Sequence, residues 1–120
     1  MALEKKVHNV RYALNGIQIA WREEFSFKLQ IAVAILVLFL GWFLAISPIE
    51  WALVILIIGF VLAAEAFNTA LEEFCDMVKG DPDPHIRKIK DLAAAAVLIA
   101  SAAAFIIGTI IFVPRLFALI

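Results

Sequence analysis

The chain has 120 residues, 65% of them hydrophobic and 18% charged, with a formal net charge of −1 and a mean hydropathy of +1.01. Soluble domains are nearer half apolar and a quarter charged, so this composition excludes an ordinary water-soluble globule and makes the bilayer the expected solvent. The near-neutral charge excludes the basic footprint of a nucleic-acid binder, the hydrophobicity excludes disorder, and a lone Cys75 excludes an intramolecular disulfide or a Cys-based zinc site.

Residues 3–27 are expected to form an amphipathic helix. Leu3, Val7, Val10, Leu14, Ile17 and Trp21 recur every three or four positions as one apolar stripe, with polar residues on the other faces. Such a helix lies on a membrane surface. The first spanning helix is expected over 28–46, where the run from 29 onward carries no charge and one weakly polar residue, Gln30. Ser47 is placed to cap a second helix whose first position is Pro48. That helix is expected over 48–78, apolar as far as Ala64 and then polar without any helix breaker, so it leaves the membrane still helical.

Residues 79–84, with one glycine and two prolines, read as a turn. A third spanning helix is expected over 90–113, opening on Lys90 and Asp91 and ended by Pro114, with alanines at 93–96 that let helix backbones approach closely. The expected fold is therefore all-α: one integral membrane domain over 1–120, an N-terminal amphipathic surface helix plus three transmembrane helices. Nine of the ten basic residues precede the first span or lie between the second and third. The positive-inside rule then places the N-terminus and the loop around Gly80 in the cytoplasm.

The residues richest in chemistry are Glu65, Asn68, Thr69, Glu72 and Asp76. Their spacing of i, i+3, i+4, i+7 and i+11 puts them on one face of the second spanning helix where it meets water. Neighbouring carboxylates at a lipid boundary repel one another and are costly to desolvate, so a cation is expected between them. Magnesium is commonly held by one or two carboxylates plus substrate phosphates, and a partly buried carboxylate also suits a general base. Glu23 and Glu24 supply further acids at the same membrane level, and Lys90 opens the third helix on that side, placed to meet phosphate. Each has a plainer reading as well: solvated charges finishing a helix, a snorkelling lysine, an acid favoured at a helix N-terminus. The glycines at 16, 41, 59, 80 and 108 are too far apart for a Walker A or dinucleotide loop, and His8 and His85 stand alone, which gives zinc little support.

Glu65, Asn68, Thr69, Ala70 and Glu72, followed by Asp76, His85, Lys90, Asp91 and the alanines up to Val97, resemble the signature of the prokaryotic diacylglycerol kinase family, which includes undecaprenol kinases. Ala13, Asn15, Gly16, Ile17, Trp21 and Glu24 in the surface helix extend the resemblance to nearly the whole chain. It implies a homotrimer of the bacterial inner membrane, with active sites shared between subunits, that moves the γ-phosphate of ATP, with Mg2+, to the hydroxyl of undecaprenol or diacylglycerol. Carried over residue by residue, it makes Glu65 the general base, Glu24 and Glu72 the metal-binding carboxylates, and Asn68 a contact to the phosphates or the base. Lys90 and Asp91 would come from a neighbouring subunit, the lysine to phosphate and the aspartate to polar groups of the nucleotide. Lys5 and Tyr12 join the nucleotide-binding set, Lys5 standing where the family usually has arginine. Asn9, Gln30 and Ala95 also depart from its common residues. The alternative is a small multidrug or cation transporter subunit with Glu65 as an intramembrane ion site, although such proteins need four spans and only three are counted here.

Overall fold

The computed structural model describes residues 2–78 and 83–120. It contains four helices in chain order: α1 (Ala2–Glu23), α2 (Phe25–Phe43), α3 (Pro48–Val78) and α4 (Pro84–Ala118). The last three are long and apolar enough to cross a membrane, so the chain is an all-α, multi-pass membrane protein. The glycine and first proline of the expected turn lie outside the described residues.

Helix α3 organises the bundle. Its buried and half-buried positions include Val54, Ile58, Val61, Glu65, Asn68, Glu72 and Cys75, alternating steps of four and three, the spacing that keeps one seam turned toward a partner helix. Helix α4 runs antiparallel to it with a matching seam at Lys90, Ala93, Val97, Ala100, Ala104, Ile107 and Ile111. The small residues at 93, 100 and 104 let the two backbones approach. At one end of this hairpin Ile46, Val54, Ile111 and Phe112 form an apolar cluster, flanked by Leu40, Trp51 and Ile107. The Glu65 end carries the polar residues instead.

Two ion pairs bracket the hairpin. Lys90 Nζ donates to Asp76 Oδ1 at 2.7 Å, and the Arg115 guanidinium binds Glu50 Oε1. Glu50 and Asp76 are about 39 Å apart along α3 at 1.5 Å per residue, more than a hydrocarbon core of about 30 Å, so both ties sit at membrane boundaries.

Three of the expected helices need corrected boundaries. The surface helix does not continue over 3–27: it stops at Glu23, and Glu24 takes extended angles, φ −114° and ψ 110°, as the N-cap of α2. No glycine or proline marks the break. It lies where the amphipathic stripe of α1 gives way to a segment apolar on every side, so Phe27 belongs to α2 and is buried there. The first spanning helix ends at Phe43, not 46. Ala45 adopts φ +52°, and the amides of Ala45 and Ile46 return to the carbonyls of Trp42 and Gly41, which satisfies carbonyls the helix leaves open. Gly41 is tight here, since a Cβ would lie 3.0 Å from the Trp51 ring.

The third spanning helix is longer than 90–113 at both ends. The Asp83 side chain caps the amides of His85 and Ile86 with Pro84 in the first turn, a favourable place for proline because its missing N–H needs no partner there. At the other end α4 continues through Pro114 to Ala118. Proline removes one backbone hydrogen bond, which membrane helices tolerate, and the Arg115–Glu50 pair secures the turn that follows. Ser47 caps α3 as expected and does so reciprocally: Glu50 N donates to Ser47 Oγ at 3.3 Å and Ser47 N to Glu50 Oε1 at 2.9 Å.

Candidate active site

Glu65 is the one buried charged residue among the described residues, 5% exposed. It occupies a seam position of α3 one turn beyond Val61, where the apolar part of the seam gives way to polar residues. A carboxylate there is costly unless it has work to do or a partner. Its neighbours are acids: Glu65 interacts electrostatically with both Glu24 and Glu72. The helix break at Glu24 brings this about. By ending α1, it turns Glu24 onto the inward stripe of α2 that continues through Phe27, Ala34 and Val37. The Glu24 side chain makes no capping hydrogen bond, so its carboxylate is not occupied by the backbone.

Asn68 and Glu72 are one turn apart on α3, and Asn68 Nδ2 donates to Glu72 Oε1 at 3.0 Å. The amide thus fixes the carboxylate's orientation. The other half of that amide, Oδ1, is buried and meets no donor. A buried acceptor without a partner is uncommon and marks a place where a donor is missing. Thr69, expected on the same face, has a different use: its hydroxyl donates to the Glu65 carbonyl at 3.0 Å, a bond within the helix.

Glu24, Glu65, Asn68 and Glu72 therefore come together within one chain. Lys90 lies beside them across the hairpin, held by Asp76. Asp91 faces away and pairs with Arg87 Nε at 3.2 Å, both side chains well exposed. Lys5 and Tyr12 are not brought to the cluster. They lie about 27 and 17 Å from Glu23 along α1, on a stretch that the rest of the chain leaves exposed. The apolar stripe of α1 is likewise uncovered, with Leu3 74% exposed.

No group of three or more His, Cys, Asp or Glu among the described residues is arranged to hold a metal ion by itself. Glu24 had no bottom-up signal beyond its charge. Its register with Phe27 and Ala34 would have revealed it, but only once the break after Glu23 was known. Cys75, buried at 1% exposure, extends the α3 seam one turn beyond Glu72.

The family model described as "Prokaryotic diacylglycerol kinase" matches residues 11–112. The chain is 36% identical over 105 residues to the undecaprenol kinase of Bacillus subtilis (strain 168), covering 88% of this chain and 85% of that protein. It is 33% identical over 88 residues to the diacylglycerol kinase of Helicobacter pylori (strain ATCC 700392 / 26695), covering 73% and 69%. To the diacylglycerol kinase of Synechocystis sp. (strain ATCC 27184 / PCC 6803 / Kazusa) it is 34% identical over 110 residues, covering 91% and 63%. None of these similarities supports the transporter alternative.

Proposed function

We propose, given that the chain belongs to the prokaryotic diacylglycerol kinase family and is a membrane lipid kinase, that it transfers the γ-phosphate of ATP to the hydroxyl of undecaprenol or diacylglycerol at the cytoplasmic face of the bacterial inner membrane. The observation that carries this reading is the buried Glu65 within electrostatic reach of Glu24 and Glu72, with Glu72 oriented by Asn68. Glu65, where the apolar part of the α3 seam ends, takes the proton of a lipid hydroxyl as its oxygen attacks the γ-phosphorus. The bond from that phosphorus to the ADP oxygen breaks, and the products are a lipid phosphate and ADP. Phosphoryl transfer asks a protein mainly for positioning and neutralisation of charge, which helix-borne side chains supply without a nucleotide-binding domain.

Glu24 and Glu72 are the residues that would hold Mg2+. Two carboxylates, one of them fixed by an amide, fit an ion that takes one or two protein acids and completes its shell with water and phosphate oxygens. When bound, the ion supplies positive charge for the phosphates. The buried Asn68 Oδ1 stands ready for a donor on the substrate side. Lys90 leaves Asp76 to meet phosphate, and Asp91 serves the polar groups of the nucleotide. Lys5 and Tyr12 belong to the nucleotide-binding set of a homotrimer whose sites are shared. Supporting this is their place on the exposed stretch of α1, far from the acids of their own chain. In this reading residues 1–120 make one kinase domain, and the stripe of α1 rests on the membrane surface.

The experiment is labelled ATP with purified protein in mixed micelles, offering undecaprenol or diacylglycerol. Phosphorylation of one or both is expected, and Glu65→Gln, which keeps the shape and removes the base, abolishes it while assembly persists. Turnover near the wild-type rate in Glu65→Gln would overturn the assignment.

A further inference from the structure

The elbow between α1 and α2 is held without the residues that usually fix a bend. Neither glycine nor proline stands near it, and the Glu24 side chain leaves the first amides of α2 uncapped. Ala20 is the one buried residue of α1, so only the end of that helix packs closely on the rest of the chain. Two backbone hydrogen bonds meet at Glu24: its N–H donates to the Ala20 carbonyl at 3.0 Å, and its carbonyl accepts from Lys28 N at 3.3 Å. A side-chain contact bridges the elbow as well. Lys28 Nζ, on α2, lies 5.8 Å from the centroid of the Trp21 ring, on α1, within the range at which an ammonium is attracted to the face of an indole.

We infer that Trp21 and Lys28 are a positioning pair: their cation–π contact clasps the elbow and so sets the direction of the Glu24 carboxylate. The inference rests on the reading of Glu24 as a metal-holding acid and adds to it what keeps that acid in place. Glu24 lies between the two partners, and Lys28 is bonded to its carbonyl, so opening the clasp turns the Glu24 peptide. The carboxylate makes no capping hydrogen bond that would orient it independently, so its direction follows the backbone. Helix α1 is also a lever. Its 22 residues extend about 33 Å, and a rotation of roughly 10° at the elbow would carry Lys5, about 28 Å away, through about 5 Å. The clasp therefore aims Glu24 and the far part of α1 together. A tryptophan and a snorkelling lysine that served only as separate membrane anchors would each act alone; a clasp makes the effect of one depend on the other.

Four variants test the dependence. Lys28→Met keeps the apolar stem and removes the charge, Lys28→Arg keeps a cation that also stacks on rings, Trp21→Leu keeps the apolar stripe and removes the ring, and the fourth combines Trp21→Leu with Lys28→Met. With Glu24→Gln and the wild type, they are compared in micelles by two measurements: Mn2+ binding with a non-hydrolysable ATP analogue, followed by electron paramagnetic resonance, and amide hydrogen exchange along the chain. Lys28→Met and Trp21→Leu are each expected to weaken Mn2+ binding about two- to fivefold, the factor equivalent to an exposed cation–π contact, and to speed exchange at the amides of Glu24 and Lys28. The double variant should be no worse than either single one, and Lys28→Arg should match the wild type. Additive losses in the double variant show two independent residues and overturn the clasp. Unchanged Mn2+ affinity in Lys28→Met, or equal losses in Lys28→Met and Lys28→Arg, also overturn it, as does exchange that speeds equally along the whole chain. In each of those cases Glu24→Gln still weakens binding and the metal reading stands. A wild type that binds no Mn2+, or a Glu24→Gln protein of unchanged affinity, refutes the metal reading itself, and the clasp with it.

Discussion

Replacing Asn68 with leucine separates two opposing contributions of one side chain. The Nδ2 donor bonds Glu72 at 3.0 Å, and a hydrogen bond to a charged group contributes about 1.5–3 kcal/mol. The buried Oδ1 without a donor costs about 1–3 kcal/mol in lost solvation. Leucine abolishes both in a side chain of similar size, so stability should change by no more than about 1 kcal/mol, a shift of roughly 5 °C in Tm for a domain of this length. Activity should behave differently. Without its donor Glu72 is free to rotate, and loss of a partner that orients a metal-holding carboxylate costs about 10–100-fold in metal affinity. A magnesium titration of lipid phosphorylation, run beside a thermal melt in detergent, reads both quantities on one preparation. An unchanged magnesium requirement would refute the orienting role, and a stability loss above about 3 kcal/mol would show that the orphaned oxygen carries no cost. Asn68→Asp is the useful contrast. It adds a third negative charge beside Glu65 and Glu72, a repulsion on the order of 3 kcal/mol at about 5 Å and an effective dielectric near 20, so both readouts should fall.

Two further substitutions address separate parts of the chain. Glu24→Gln is expected to raise the magnesium concentration for half-maximal activity on the order of tenfold, the factor that 1.4 kcal/mol of lost binding gives. The melt should stay unchanged because that side chain does no capping, and an unaltered magnesium titration would remove Glu24 from the site. Ala45→Gly relieves a left-handed residue at φ +52°, a conformation that costs an L side chain about 1–2 kcal/mol. After the greater freedom of glycine in the unfolded chain is subtracted, a gain of about 0.5–1 kcal/mol remains. A variant that melts below the wild type contradicts this.

Much of the bundle was legible because its order is periodic. The spacing that placed Glu65, Asn68 and Glu72 on one face of a helix is the spacing of the α3 seam, and Ser47 with Pro48 announced the start of that helix. What escaped was fixed by tertiary surroundings. Nothing in the residues around Glu24 breaks a helix; the break belongs to the junction between an amphipathic segment and one apolar all round. Ala45 takes a conformation normally left to glycine because closing the end of α2 demands it. Pro114 looked like a terminus, yet Arg115 finds Glu50 sixty-five positions away and holds the helix beyond it. Partner choice of this kind has no local signature, and the same holds for Lys90, whose tie to Asp76 appears only when α3 and α4 are laid side by side.

The Glu50–Arg115 tie has a mechanical consequence. It joins the reciprocal cap at Ser47 and the cluster of Ile46, Val54, Ile111 and Phe112 at one end of the hairpin. The opposite end is held by a more exposed ion pair and meets a column of small side chains. Stiffness is thus unevenly distributed along the two helices. Any parting of the two helices to admit or release a bulky guest therefore meets more resistance at the Arg115 end than at the level of Glu65.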